Sequence, residues 1–526
     1  MLDWVGIAHP TSLGAGILAS PHSSDAPLPA WQRLATLALL IGLGVKALLF
    51  HYDLIRFPYP LDSHEPAQVV LSSAYAAGEN PCSLENFPAK FNVYGRTYNA
   101  MMGRLCNLGM GCSMNFHRAV VACLILLCLG LHALVLRRLG CGVPESACLL
   151  MAGYGCLLLN VTPMSKPDTL GLLLASLGFS IPFLLRYSAV SLLLAAACMA
   201  VAVDVKLYFL LSPALLGLWL LLGRRFKLAA LFGAAFLIFG GLFFCWLLGK
   251  CEIYFYQNYL GRYNTKSFPG YNFAYMLWQL KKVFVTGLPG ALFLGLLAFS
   301  RWYSGELSPP PGSEWWLYAL GGLAAFVLSL GGHMGTRLTF AVHLVVWPLI
   351  PALGGLCSAM GRKRGLALAC LALNAACAVN MADHGGFSRL SDLAVWTEAK
   401  MFLASARHPY APRDLDSILL AQKKEIYDSG FLEYFSPDSP VPEAERRRFP
   451  LLQSMNERYR RYAASQQERV ARGEFDFAVG SPYDYSPMPF KFHYRIYRVV
   501  LARYPQTGGM TPFFLLTRIK PGPGKP

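Results

Sequence analysis

The chain has 526 residues, 55% of them hydrophobic and 14% charged, against roughly 25% charged in an ordinary soluble domain. With a mean hydropathy of +0.40, this composition excludes a soluble globular enzyme and indicates a polytopic membrane protein. The formal net charge of +17 does not indicate a nucleic-acid partner. Lys and Arg sit in short clusters between apolar runs, where they orient membrane spans, and no basic stripe with interleaved aromatics occurs.

Residues 1–32 contain His9, Asp25 and several prolines but no basic stretch leading into an apolar run. They read as a cytoplasmic lead rather than a cleavable signal. A membrane domain follows over 33–382, where eleven apolar runs each approach the roughly twenty residues needed to cross a bilayer. They lie at 33–51, 117–136, 145–163, 169–187, 188–203, 206–222, 228–248, 283–300, 315–331, 339–358 and 366–382. The basic loops Arg137-Arg138, Arg224-Arg225-Phe226-Lys227 and Arg362-Lys363-Arg364 agree on one orientation under the positive-inside rule. The amino terminus is then inside. The loops around 52–116, 164–168, 204–206, 249–282 and 332–338, and the carboxy-terminal tail, are outside.

The first outer loop, 52–116, is too long for a plain connector. A helix is expected over Glu65–Ala77, ending at Gly78. A second, over Arg96–Leu108, carries Met101, Met102, Leu105 and Leu108 among polar residues and is expected to lie along the interface. The loop at 249–282 is rich in aromatics, among them Tyr254, Tyr256, Tyr259, Tyr263, Phe268, Tyr271 and Tyr275; it suits either a headgroup belt or the lining of a groove. Of the fourteen cysteines, most lie within apolar runs as small fillers. Cys82, Cys106, Cys112 and Cys251 fall outside, where an oxidising compartment allows pairing, and spacing does not choose the pairs.

Past His384 the chain turns charged and rich in Pro and Tyr. Residues 383–526 read as a small soluble α/β domain, with helices over Leu390–Arg407, Asp414–Asp428 and Glu443–Gly473, the last broken near Pro450. Strands are expected over Phe475–Val479, Tyr497–Tyr504 and Phe513–Ile519.

Ionisable residues at span ends are costly to keep near hydrocarbon and are therefore candidates for function. Five groups stand out: Asp62, His64 and Glu65; Lys166 and Asp168; Asp204 and Lys206; Arg262 and Lys266; His333 and Arg337. The orientation above opens all five to the outer side. Each has a structural alternative. Asp62 followed three residues later by Glu65 is close to a capping box. Asp168 after Pro167 suits the first turn of a helix. Lys206 can be an interfacial lysine paired with Asp204, and His333 can cap a span end.

Tyr59-Pro-Leu-Asp62-x-x-Glu65, Gly78-Glu-Asn-Pro81, Tyr94-Gly-x-x-Tyr98, Lys166-Pro-Asp168-Thr-Leu opening one span and Lys206-Leu-Tyr208 opening another together resemble the GT-C superfamily of integral-membrane glycosyltransferases. That group includes protein O-mannosyltransferases and lipid A aminoarabinose transferases. The resemblance covers about residues 30–360. It implies a transferase of the bacterial cytoplasmic (inner) membrane that moves a sugar, with inversion, from a polyprenyl-phosphate donor to an envelope glycan, lipid or protein on the outer side. Membrane lipids are its surroundings, and no nucleic acid takes part.

On that resemblance the general base is Asp62 or Glu65, a carboxylate that takes the proton of the acceptor hydroxyl; the second acid orients it or holds a cation. Lys206, Arg337, His333, Lys166, Arg262 and Lys266 are candidates for the donor phosphate, whose charge grows as it leaves. His64, Tyr94, Tyr98, Asp168 and Tyr208 would line the substrate. No spacing specifies a metal ligand set, and a divalent cation stays open. Two other classes compete: a transporter or flippase for a lipid-linked or amphipathic substrate, and a non-catalytic membrane assembly protein.

Overall fold

The computed structural model describes residues 29–61, 65–88, 90, 94–159, 165–254, 256, 288–303, 312–330, 342–359, 364–384, 396–397, 400–401, 403–405, 407–410, 416–426, 443–472, 474, 477–480 and 515–518. The expected cytoplasmic lead therefore lies outside the described residues, except at its end. So do most of the aromatic loop, the strand expected over Tyr497–Tyr504 and much of the helix expected over Leu390–Arg407.

Helix occupies each apolar run of the sequence. In chain order the helices up to His384 are α1 (Ala30–Arg56), α2 (Glu65–Ala76), α3 (Thr97–Leu105), α4 (Met114–Arg138), α5 (Val143–Leu159), α6 (Asp168–Leu184), α7 (Ala189–Val205), α8 (Leu211–Leu222), α9 (Phe226–Lys250), α10 (Leu288–Tyr303), α11 (Ser313–Leu330), α12 (Trp347–Ser358) and α13 (Arg364–His384). Among the described residues α1, α4 and α9 are long and apolar enough to cross a membrane by length and composition. The run expected at 206–222 begins as a 3-10 turn, Leu207–Leu210, before α8.

Exposure fits a lipid solvent. On α1, Trp31, Leu34, Ile41 and Leu48 are exposed, and on α9 so are Leu237, Ile238, Leu242 and Trp246. Apolar side chains this large would associate in water; in hydrocarbon they are already solvated. The interior is built by α5 along α13, α6 along α7, α7 along α9 and α4 along α6. The chain is a polytopic helical membrane protein. Two helices of the bundle are capped by serine: Ser113 accepts from the Phe116 N–H at the start of α4, and Ser188 from the Ser191 N–H at the start of α7.

The segment between α1 and α4 departs from expectation in one respect. The helix expected along the interface over Arg96–Leu108 is α3, which ends at Leu105 and runs into a π turn over Cys106–Met110. It packs on α2 instead, with Tyr98 and Met102 fully buried. Gly103 makes this possible, because a Cβ there would stand 2.6 Å from Tyr75 Cβ and 2.8 Å from the Ser72 carbonyl oxygen. Of the apolar residues that suggested an interfacial face, Leu108 is the one left exposed.

Beyond the bundle come α14 (Asp416–Ala421), α15 (Glu443–Arg448) and α16 (Pro450–Ala471), with the expected break falling between the last two. Three strands, β1 (Pro409–Tyr410), β2 (Phe477–Gly480) and β3 (Leu515–Arg518), form one sheet in the order β1-β2-β3. β1 is parallel to β2 with Pro409 opposite Phe477, and β2 is antiparallel to β3 with Phe477 opposite Arg518. β1 was not expected, since two residues are too short to show alternation.

This part of the chain packs onto the segment between α1 and α4. The Tyr59 ring stacks on Trp396 with centroids 5.5 Å apart, its hydroxyl is 3.2 Å from Thr397 Oγ1, and Leu403, Ile418 and Leu419 complete the cluster. Leu452, Met455 and Tyr459 of α16 bury against Cys82, Phe87, Leu247, Cys251, Ile253 and Tyr254. A fully buried Leu or Met contributes about 1.5–3 kcal/mol, so both clusters fasten residues past 396 over the loop that carries Asp62.

Candidate active site

Glu65, the first residue of α2, is completely buried. Its Oε1 accepts from Arg118 Nε at 2.9 Å and from the Ser165 N–H at 2.7 Å. Its Oε2 accepts from an Arg118 terminal nitrogen at 2.6 Å and from the Leu61 N–H at 2.7 Å. Arg118, equally buried, donates in addition to the carbonyls of Leu54, Phe57 and Tyr59. One buried pair thus holds the end of α1, the stretch 59–61 leading to Asp62, and Ser165 before α6. Every acceptor position on Glu65 is in use. Sequence reading missed Arg118, which looked like part of a span.

The second cluster gathers sequence-predicted residues. Lys206 Nζ lies 2.7 Å from Asp168 Oδ1, with both side chains nearly buried. The Tyr208 hydroxyl donates to the same oxygen at 3.1 Å and is 2.9 Å from His343 Nδ1. The Lys206 ammonium sits over the Tyr94 ring at 4.8 Å and the Tyr208 ring at 5.8 Å, positions where a ring quadrupole attracts a cation. Asp168 opens α6 and so also meets the positive end of its dipole. Lys166 is close enough to act on Asp168 electrostatically. His343 was not anticipated, because it falls inside an apolar run.

The Lys206–Asp204 pairing offered as an alternative is not formed. Asp204 accepts instead from the backbone N–H of Thr97 at 3.0 Å and from its hydroxyl, tying α3 to the end of α7. Gly95 allows the approach: a Cβ there would sit 1.7 Å from the Asp204 carbonyl oxygen. The Tyr94-Gly-x-x-Tyr98 pattern is therefore a contact between chain segments. Tyr94 faces Lys206, while Tyr98 turns inward to within 3.3 Å of His117 Nδ1, its phenol pushed above the usual range by burial.

Arg96 is the third residue missed. Its guanidinium lies between the Tyr75 and Trp246 rings, 5.3 and 5.4 Å from their centroids. Its Nε and one terminal nitrogen are buried without a hydrogen-bond partner. Buried donors of this kind are expensive to leave unmet, and a guanidinium fork matches carboxylate or phosphate geometry. A cleft lined by Tyr75, Lys90, Tyr94, Arg96 and Asn99 opens at this point.

No family profile matches the sequence, and no curated protein matches it. The structure is similar to the crystal structure of ArnT from Cupriavidus metallidurans bound to undecaprenyl phosphate, with a TM-score of 0.52 at 13% identity, covering 85% of this chain and 93% of that one. ArnT is a GT-C lipid A aminoarabinose transferase. The fold is GT-C-like.

On this GT-C-like frame, Glu65, Tyr94, Asp168, Lys206 and Tyr208 converge near the ends of α1, α6 and α7, and Tyr98 supports them from behind. Asp62, His64, Arg262, Lys266, His333 and Arg337 lie outside the described residues. Among the described residues the one group placed to share a metal is Cys106, Cys112 and His117. Its cysteines are joined in a disulfide, which leaves a single imidazole.

Proposed function

We propose that this chain is an integral-membrane glycosyltransferase that takes a sugar from a polyprenyl-phosphate donor and transfers it, with inversion, to an acceptor hydroxyl on the outer face of the bacterial inner membrane. The observation that carries the reading is the pair of cations flanking Gly95. Lys206 is held by Asp168 between two aromatic rings, and Arg96 has guanidinium nitrogens still unmet. Tyr94 links the two, its ring under the Lys206 ammonium and its edge lining a small cleft with Arg96, and an anion of phosphate type would satisfy both charges. The GT-C-like fold supports the reading, as does the undecaprenyl phosphate bound to ArnT.

In this mechanism the acceptor oxygen attacks the anomeric carbon while Asp62 takes its proton, and the bond from that carbon to the phosphate oxygen breaks on the opposite side. Arg96 and Lys206 stabilise the charge that accumulates on the departing polyprenyl phosphate. Glu65 is the positioning acid: with Arg118 it holds the backbone at Tyr59 and Leu61, just before Asp62. Lys166, Arg262, Lys266, His333 and Arg337 are further cations for the same leaving group. His64, Tyr94 and Tyr208 contact the sugar or phosphate, and Asp168 orients Lys206. A divalent cation, where one takes part, would have to draw on Asp62 rather than on the saturated Glu65.

The reading includes eleven crossings with the amino terminus inside, and a segment from 383 onward that forms an α/β cover over the outer face. Purified protein in liposomes, supplied with polyprenyl-phosphate sugars and an envelope acceptor, tests it. Donor is consumed by the wild type, and not by Asp62→Asn. Failure of every donor to be consumed while the protein stays folded would sink the transferase reading and favour transport.

A further inference from the structure

Two thiols outside the reaction machinery face each other across the first outer segment. Cys82 follows the Gly78-Glu-Asn-Pro81 turn; Cys251 follows the last residue of α9. The segments carrying them are laced together. The Ile253 N–H donates to the Cys82 carbonyl at 3.3 Å, Asn80 Nδ2 to the Lys250 carbonyl at 2.7 Å, and the Leu84 N–H to Glu252 Oε2 at 2.7 Å. Both cysteines belong to one buried cluster with Phe87, Ile253 and Tyr254, at 5% and 0% exposure. The Tyr75 hydroxyl stands 3.3 Å from Cys82 Sγ.

We propose that Cys82 and Cys251 form a second disulfide, closing the first outer segment onto the end of α9. The inference rests on the outer placement of this face given above. Cys106–Cys112 is already a disulfide on the same segment, and the remaining cysteines lie in the helices of the bundle or, at Cys141, in the basic loop between α4 and α5. Every cysteine of the outer segments is then paired.

The chemistry is an ordinary exchange. The Cys82 thiol attacks an oxidised protein disulfide of the outer compartment as its thiolate. Cys251 then displaces that carrier from the mixed disulfide. Two S–H bonds are lost, one S–S bond forms, and the carrier leaves as a dithiol with the two electrons and two protons. The bond forms while the chain is folding, before Leu452, Met455 and Tyr459 bury the pair. Its consequence reaches the site, because Cys82 shares the cleft wall with Tyr75, Tyr94 and Arg96.

The test uses full-length protein from cells lysed into N-ethylmaleimide, denatured and digested without reductant, with the peptides identified by mass spectrometry. The expected result is a Cys82 peptide joined to a Cys251 peptide alongside the Cys106–Cys112 link. Cys82→Ser and Cys251→Ser should each lower the melting temperature by several degrees, and the double variant no further than either single one. Alkylated Cys82 and Cys251 beside an intact Cys106–Cys112 link overturn the proposal and leave the outer placement standing. A link from Cys82 to Cys106 or Cys112 overturns it too, whereas four alkylated cysteines overturn both it and the placement.

Discussion

The chain holds two buried ion pairs of nearly equal length, 2.6 Å for Glu65–Arg118 and 2.7 Å for Asp168–Lys206, and they are built for opposite purposes. The first is saturated: two backbone N–H groups complete the carboxylate, and three carbonyls complete the guanidinium. The second is left open, a lysine with one carboxylate and two ring faces beside an arginine with unmet donors. A group whose partners are all supplied by the protein has nothing left for a substrate. Such a pair builds the site; the open pair is free to work in it.

The largest effect should come from breaking the saturated pair. Removing one member of a buried ion pair costs about 3–5 kcal/mol, because the other charge is left uncompensated. Glu65→Gln and Arg118→Met are therefore expected to lower the melting temperature in detergent sharply and to take activity with it. The contrast would collapse if Glu65→Gln kept wild-type stability and lost transfer alone, for Glu65 would then be the base. Asp62→Asn should do what Glu65→Gln does not: turnover falls by about 10²–10⁴-fold, the range for a general base, with the melting temperature unchanged. Next in size is Arg96→Met, which removes the unmet fork. A hydrogen bond to a charged group is worth about 1.5–3 kcal/mol, so kcat/KM for the donor is expected to drop roughly 10–100-fold, and the loss should shrink for a donor without its phosphate.

The open pair was more legible in the sequence than the saturated one, for a physical reason. Lys206, Asp168 and Tyr208 stand at the starts of apolar runs, where a charge is conspicuous against hydrocarbon. Glu65 was equally conspicuous, but its partner Arg118 lies four residues into α4 and merged with the run at 117–136. Pairing across 53 positions leaves no trace in local pattern. Arg96 was hidden differently. It sits among Thr97, Tyr98 and Asn99 in what read as an interfacial helix, and only the packing of α3 on α2 through Gly103 turns that stretch inward. The helical bundle was visible because hydrocarbon thickness sets the length of a span. That Trp396, Leu403 and α16 are the residues that pack against the segment between α1 and α4 left no local trace, since tertiary docking has no period.

The smallest prediction sharpens the comparison from within the open cluster. The Tyr208 hydroxyl lies between Asp168 Oδ1 at 3.1 Å and His343 Nδ1 at 2.9 Å. Tyr208→Phe removes that bridge but keeps the ring under Lys206. A hydrogen bond to a charged group is worth about 1.5–3 kcal/mol, so stability should fall by less than it does in Glu65→Gln. If Tyr208 belongs to the working set, its loss frees Asp168 to bind Lys206 more tightly, and the lysine is then less available to phosphate. KM for the donor should rise by less than about tenfold with kcat nearly constant, the pattern of a contact made equally before and during reaction. If instead the melting temperature falls as far as it does in Glu65→Gln, the Asp168 cluster is structural as well. The phosphate seat then narrows to Arg96.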